Sequence, residues 1–115
     1  MKRDLRLYLQ DILESISAIE EYTGKLSEKE FLSKQQVQDA VIRRFEIIGE
    51  AVKKVDENFK REHSGVPWKE IAGMRDVLIH EYFGVNLKRV WLVIKNDLPA
   101  FKKEVAKGIE KIENT

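Results

Sequence analysis

The segment Met74–Phe83 holds the residues best suited to chemistry, because titratable and cationic side chains interrupt its apolar pattern. In a helix turning about 100° per residue, Arg75 and Tyr82 share one face, and Asp76 and His80 share a neighbouring face. An imidazole can take up and return protons at neutral pH, which makes His80 a candidate general acid or base. The spacing therefore predicts a proton-transfer site on one helix.

Arg75 and Asp76 indicate which reaction such a site could catalyse. A guanidinium can hold a phosphate through two hydrogen bonds and stabilise negative charge that develops on it, and a carboxylate beside an imidazole can orient the ring. The chain contains no cysteine and no recognisable metal-ligand motif, so we predict no metal and no cofactor. The trio suits metal-independent cleavage of RNA, whose 2′-hydroxyl is itself the nucleophile. Alternatively, Asp76 only bonds His80 one turn on, and Arg75 is solvated.

The angle between Arg75 and His80 bears on how such a site could be assembled. Five residues of helix separate their directions by about 140°, so both side chains cannot point at one substrate atom from a single helix. A second copy across a two-fold axis would allow the Arg of each copy to approach the His of the other. A two-fold partner would therefore make a shared site geometrically easier than one helix alone.

Composition limits the classes of protein to consider. The 115 residues are enough for one domain, which we place at residues 1–115. A net charge of +1 gives the whole chain no attraction to nucleic acid, so RNA binding would need a local patch. No stretch approaches the roughly 20 apolar residues of a membrane span, and the N-terminus lacks the pattern of a signal peptide. We expect a cytoplasmic protein.

Helical periodicity runs along most of the chain and predicts an all-α, up-and-down bundle of four to five helices. The first helix is expected from about Asp4 to Tyr22. Two capping-box patterns follow, Ser27 with Glu30 and Ser33 with Gln36, the second opening a long helix that continues to about Lys60.

The polar segment Arg61–Pro67 is the main predicted break. Pro67 then starts a short turn anchored by Trp68 and Ile71, and Gly73 separates this turn from the helix that carries the motif, which Gly84 closes. Asn86 is expected to cap a last helix from about Leu87 to Ile112, kinked or restarted near Asp97 because Pro99 removes an amide donor.

Other polar residues carry weaker predictions. Arg43 and Arg44 interrupt the second helix, and a solvated charge pair is favoured over contact with the motif or a phosphate. Lys88 and Arg89 could add to a basic rim that binds RNA. His63 lies in the polar break and is expected to be exposed.

The spacing Arg75, four residues, His80, one residue, Tyr82 is the RxxxxHxY pattern, and it resembles the HEPN superfamily, specifically the HepT-like toxin family. Further blocks in the same order strengthen the likeness, which covers most of residues 4–103. They are Ala40–Arg43, Phe45–Ala51, Pro67–Asp76, Val90–Trp91 and Leu98–Pro99.

This resemblance implies a HEPN-like helical bundle that forms a homodimer and acts as the toxin of a two-gene toxin–antitoxin module. Arg75 and His80 would be the catalytic pair of a metal-independent endoribonuclease, assisted by Asp76. The implied partner is a minimal nucleotidyltransferase antitoxin that transfers adenylate from ATP to Tyr82. Arg43 becomes a candidate for a supporting role.

The chain departs from the pattern after the motif arginine, where such proteins often have asparagine and this one has Asp76. The added negative charge would face the RNA phosphate, although it could also keep His80 protonated. An interaction subunit with weak catalysis, which binds and is modified by the nucleotidyltransferase, is therefore the alternative function. A nucleotide-binding helper domain is a third.

Overall fold

The computed structural model describes residues 2–73 and 86–114, with side chains described from Asp4 onward. Within these ranges all regular structure is helical, which confirms the all-α prediction. The helices are α1 (Lys2–Thr23), α2 (Glu28–Ser33), α3 (Gln35–Lys54), α4 (Glu57–Glu62), α5 (helical residues 68–73), α6 (Leu87–Asn96) and α7 (Leu98–Glu113). None of the described helices is long and apolar enough to cross a lipid bilayer.

The core lies between α1, α3 and α7, with α6 packed on α7 and α2 packed on α3 and α6. Each long helix contributes apolar residues at intervals of three and four, so one stripe faces inward. On α1 these are Leu9, Ile12, Ile16 and Ile19, and on α7 they are Leu98, Phe101, Val105 and Ile109, all buried. These stripes agree with the periodicity of the sequence, and α1 ends at Thr23, one residue beyond the predicted end at Tyr22.

Two serines matched the capping pattern, and one of them caps a helix. The Ser27 hydroxyl accepts from the Glu30 amide at 3.1 Å, and the Glu30 carboxylate accepts from the Ser27 amide at 3.0 Å. The same prediction for Ser33 is wrong. Ser33 is the last residue of α2, so its hydroxyl donates back to the Glu30 carbonyl at 2.9 Å, and α3 begins after Lys34 with no side-chain cap.

The long helix predicted to reach Lys60 ends at Lys54 instead. Val55 is extended, with φ −71° and ψ 133°, and Asp56 caps a separate helix, α4, by accepting from the Phe59 amide at 2.7 Å. The apolar spacing does not reveal this break, because Val55 and Phe59 are both buried on the same core. An aspartate cap defines the new start.

The remaining predicted helix boundaries within the described residues agree with the structure except at Gly73. Pro67 precedes α5, on which Trp68 and Ile71 are buried as predicted, but Gly73 is itself helical where a break was expected. The predicted last helix is two helices. Asn86 caps α6 by accepting from the Arg89 amide at 3.2 Å, and α7 restarts at Leu98 with a proline in its first turn.

Candidate active site

The motif residues Arg75, Asp76, His80 and Tyr82 lie outside the residues that the structure describes, as does the predicted closing residue Gly84. The described parts are the two elements that flank the motif in the chain. Arg75 follows Gly73, the last described residue of α5, by two positions, and Asn86, the cap of α6, follows Tyr82 by four. These two helices therefore fix where the motif segment starts and ends.

A cavity of about 330 Å³ lies between α5 and α6, at the two ends of the motif segment. Among the described residues, α5 contributes one wall and α6 with the turn after it contributes the other. The lining residues are Glu70, Ile71, Gly73, Arg89, Leu92, Val93, Asn96 and Asp97. The cavity has the size of a nucleotide-scale ligand site, and its lining combines apolar side chains with a few polar groups.

Charge in the described lining is mixed. Arg89 supplies the positive charge, and Glu70 and Asp97 supply two negative charges. Arg89 could therefore hold a phosphate, whereas Glu70 and Asp97 favour groups that donate hydrogen bonds, such as hydroxyls and amino groups. Lys88 is exposed next to Arg89 but is not part of this lining. The sequence pointed to Arg89, whereas Glu70, Asn96 and Asp97 carried no recognisable signal.

Arg43 lies elsewhere among the described residues. Its side chain is 70% exposed and donates to Glu46 on the same helix at 3.3 Å. It borders a separate groove of about 280 Å³ between α1 and α3, together with Tyr8 and Lys54. The Arg43 side chain is therefore largely exposed to solvent, as residue type alone suggested. A supporting role for Arg43 stays a prediction.

His63 is buried, and the expectation of an exposed side chain is wrong. The residue is 7% exposed, and its ring stacks on Phe59 with centroids 4.3 Å apart. Its Nδ1 donates to the Glu104 carboxylate at 2.6 Å. This hydrogen bond is the main cause that holds the pKa of Glu104 below its ordinary value, and the nearby Lys107 ammonium acts in the same direction. The polar segment Arg61–Pro67 therefore contains a buried residue, His63, which connects the end of α4 to α7.

Groups of His, Cys, Asp and Glu that could hold a metal ion were sought throughout residues 2–73 and 86–114. No group of three or more occurs in that part of the chain.

Comparison with known proteins gives the family. The model of the family described as Ribonuclease HepT-like matches residues 12–107, a range that contains the whole RxxxxHxY motif. The chain belongs to the HepT-like family. This membership confirms the resemblance to the HEPN superfamily.

Curated relatives of this HepT-like chain carry related names. A protein of Thermococcus cleftensis named "Probable ribonuclease HepT" is 48% identical over 107 residues, covering 93% of this chain and 97% of the relative. A Methanocaldococcus jannaschii protein named "Gamma-glutamylcyclotransferase and putative RNase" is 49% identical over 113 residues, 98% of this chain. The chain spans about half, 51%, of the length of that second relative. No solved structure matches the chain.

Proposed function

We propose that this chain is a metal-independent endoribonuclease that works as a homodimer. The observation that carries the proposal is the family match over residues 12–107, within which Arg75, His80 and Tyr82 keep the RxxxxHxY spacing. The relatives from T. cleftensis and M. jannaschii, whose names include a ribonuclease, support the same reaction class.

The chemistry requires proton transfer and anion stabilisation. His80 removes the proton from the ribose 2′-hydroxyl, whose oxygen attacks the adjacent phosphorus, and the bond to the 5′-oxygen of the next nucleotide breaks. The leaving 5′-oxygen takes a proton from water, and His80 later releases its proton to solvent, so the enzyme returns to its starting state. Arg75 holds the phosphate and stabilises the additional negative charge in the transition state, and Asp76 orients the imidazole. The products are a 2′,3′-cyclic phosphate and a 5′-hydroxyl.

We expect RNA to bind in the cavity between α5 and α6, because these two helices flank the motif in the sequence. Arg89 lies on one of its walls and Lys88 is exposed beside it, so both cations can contact phosphates of the substrate. The apolar lining residues Ile71, Leu92 and Val93 can contact a base or ribose. We expect these residues to contribute to RNA binding and the motif residues to carry out the reaction.

The catalytic proposal is tested by measuring RNA cleavage with the parent chain and with Arg75→Ala and His80→Ala. Each substitution should lower the rate by at least about 100-fold, while Arg6→Ala, an exposed arginine paired with Glu113, should keep the parental rate. Excess chelator should leave the parental rate unchanged. Cleavage that survives in both motif variants would remove the catalytic pair, and loss of cleavage with chelator would remove metal independence.

Mixing the two inactive variants tests whether the sites are shared between protomers. If Arg75 of one protomer acts with His80 of its partner, an Arg75→Ala and His80→Ala heterodimer retains one complete site. Random exchange makes about half of the dimers heterodimers, so the mixture should regain about a quarter of the parental activity. Light scattering must show a dimer in each sample. A mixture as inactive as its components would place both residues in one protomer.

The proposed biological setting is a toxin–antitoxin module in the cytoplasm, with a minimal nucleotidyltransferase as antitoxin that adenylylates Tyr82. Incubation with a cognate nucleotidyltransferase and ATP should add the mass of one adenylate to the parent, and Tyr82→Phe should gain nothing. Equal addition of adenylate to both proteins would show that another residue is modified.

One feature favours a second function, an interaction subunit with weak catalysis. Asp76 places a carboxylate beside the residue that would hold the phosphate, and like charges repel. Replacing Asp76 by Asn separates the two functions. An enzyme restrained by this charge should cleave RNA faster as Asp76→Asn, whereas an interaction subunit should bind its nucleotidyltransferase tightly and cleave RNA in neither form.

A further inference from the structure

His63 joins three helices at the point where the chain turns toward the motif. It directly follows α4, and its ring bonds Glu104 on α7 at 2.6 Å. Its backbone carbonyl accepts from the indole nitrogen of Trp68, the first residue of α5, at 3.0 Å. His63 therefore contributes polar contacts to both α5 and α7 from the end of α4.

The position of α5 depends on the Trp68 side chain. The indole ring is 8% exposed and packs edge-on against Phe101, with centroids 5.4 Å apart and planes at 89°. A buried indole N–H without an acceptor costs about 1 to 3 kcal/mol, so the ring stays where the His63 carbonyl can accept its hydrogen bond. A shift of His63 would consequently move Trp68 and, with it, the start of α5.

Glu104 in turn fixes the His63 ring. Among the described residues, the other ring nitrogen, Nε2, has no hydrogen-bond partner, so Nδ1 makes the ring's polar contact. The ring cannot retreat toward α4, because it stacks on Phe59. Phe59 is itself held against α7 at Gly108, where even a Cβ atom would lie 2.5 Å from the aromatic ring. This packing leaves the Glu104 carboxylate as the contact that sets the position of the imidazole.

Arg75 lies seven residues after Trp68 and two after Gly73. Any displacement of α5 is therefore transmitted through at most a few peptide units to the proposed catalytic arginine. We propose that His63 and Glu104 are positioning residues, whose contact holds α5 in the place that the catalytic segment requires. The expected effect on the rate rests on the ribonuclease function proposed above. The anchoring of α5 by this contact does not depend on that function.

Four variants test the contact. His63→Leu removes the donor, Glu104→Ala removes the acceptor, and His63→Asn keeps a donor nitrogen near the place of Nδ1. The matched control is Glu20→Ala, because Glu20 also bonds a partner across helices at 2.6 Å, the Lys102 ammonium of α7, and is similarly exposed. Glu20 lies on α1 and makes no described contact with α5.

Two readouts are measured well below the melting temperature of every variant. In RNA cleavage, His63→Leu and Glu104→Ala should lower kcat about tenfold or more and leave KM within about twofold, because misplaced catalytic groups slow the chemical step. His63→Asn and Glu20→Ala should stay within about threefold of the parent on the same argument. In hydrogen exchange, amides of residues 68–73 should exchange faster in the first two variants only.

The outcomes separate this proposal from the proposed function. Parental kcat in His63→Leu and Glu104→Ala, an equal loss in Glu20→Ala, or a failure of His63→Asn to retain activity would overturn the positioning role. If the parent does not cleave RNA, the ribonuclease proposal fails and hydrogen exchange decides. Faster exchange in residues 68–73 would support the anchoring of α5, and unchanged exchange would refute it.

Discussion

Gly108 offers a quantitative test of the packing that supports the site. It lies on α7 facing the ring of Phe59, and an added Cβ would lie 2.5 Å from both Cε2 and Cζ of that ring. This is about 1 Å inside ordinary carbon–carbon contact. The ring has little room to move, because His63 stacks on it and Trp68 packs against it with centroids 5.9 Å apart. Gly108→Ala therefore forces the helix or the ring to shift.

Two opposing effects set the expected change in the free energy of unfolding. Overpacking costs about 2 to 3 kcal/mol at a site this constrained, and alanine in a helix gains about 1 kcal/mol over glycine. Gly108→Ala should therefore destabilise the fold by about 1 to 2 kcal/mol, and lower the melting temperature by about 4 °C or more. Gly73 is the matched control, since it is also helical and a Cβ there would meet no atom of the described residues within 4 Å. Gly73→Ala should stabilise the fold by up to about 1 kcal/mol.

A double-mutant cycle with Phe59→Leu identifies the cause. Leucine lacks the two ring atoms that meet the new methyl group, so Gly108→Ala should become neutral or stabilising in that background. The assay is chemical denaturation followed by far-ultraviolet circular dichroism, with unchanged slope as the criterion for comparison. An equal loss of stability in both backgrounds, or no loss in the parent, would refute the packing argument.

Three further predictions concern caps, pH and substrate binding. Ser27→Ala should cost about 1 kcal/mol by removing the cap of α2, whereas Ser33→Ala should cost less than about 0.5 kcal/mol, and denaturation of both variants checks this. Glu104 has a pKa lowered by its hydrogen bond from His63, so its stabilising contribution is complete above 4.5, its ordinary pKa, and is lost as pH falls through the lowered value. Denaturation at a series of pH values should show a steeper acid loss in the parent than in Glu104→Gln, and equal slopes would contradict this. Arg89→Ala should raise KM for RNA severalfold with little change in kcat, while Lys103→Ala, an exposed lysine of α7, should change neither.

Much of the fold could be predicted because the long helices are amphipathic along their whole length. The stripes of α1 and α7 repeat every three or four residues, and one-sided burial follows directly from that period. Local capping patterns were less decisive. Ser27 and Ser33 both precede Glu or Gln by three residues, and the pattern cannot distinguish a serine that opens a helix from one that ends the preceding helix.

The break between α3 and α4 escaped detection for a different physical reason. Val55 leaves the helix, but α4 returns to the same core, so Val52, Val55 and Phe59 keep a helical spacing across the break. The signal was present in Asp56, an aspartate three residues before Phe59 and followed by Glu57. A capping residue inside an uninterrupted apolar period can therefore mark a new helix.

The candidate site shows the limit of local patterns most clearly. The resemblance to the RxxxxHxY pattern, which lies within eight consecutive residues, selected Arg75, His80 and Tyr82 as candidates, and their roles stay predictions. The cavity and the His63 contact depend on residues far apart in the chain, such as His63 and Glu104, which are separated by 41 positions. No periodicity connects such residues, although Glu104 lies three positions after Phe101 and so at the edge of the buried stripe.

This separation bears on how the family's chemistry can be tuned. Under the proposed function, a substitution in the motif would act on the reacting groups directly, whereas one at His63 or Glu104 would act through α5 without touching substrate. The cavity is lined by residues on both sides of the motif in the sequence, because Glu70 precedes the motif and Arg89 follows it. Under the proposed function, relatives that share the motif would therefore differ in rate or RNA preference through residues of α5 and α6. An exchange of the α5 and α6 wall residues between two such relatives, with the motif unchanged, should transfer RNA preference if these walls contact the substrate.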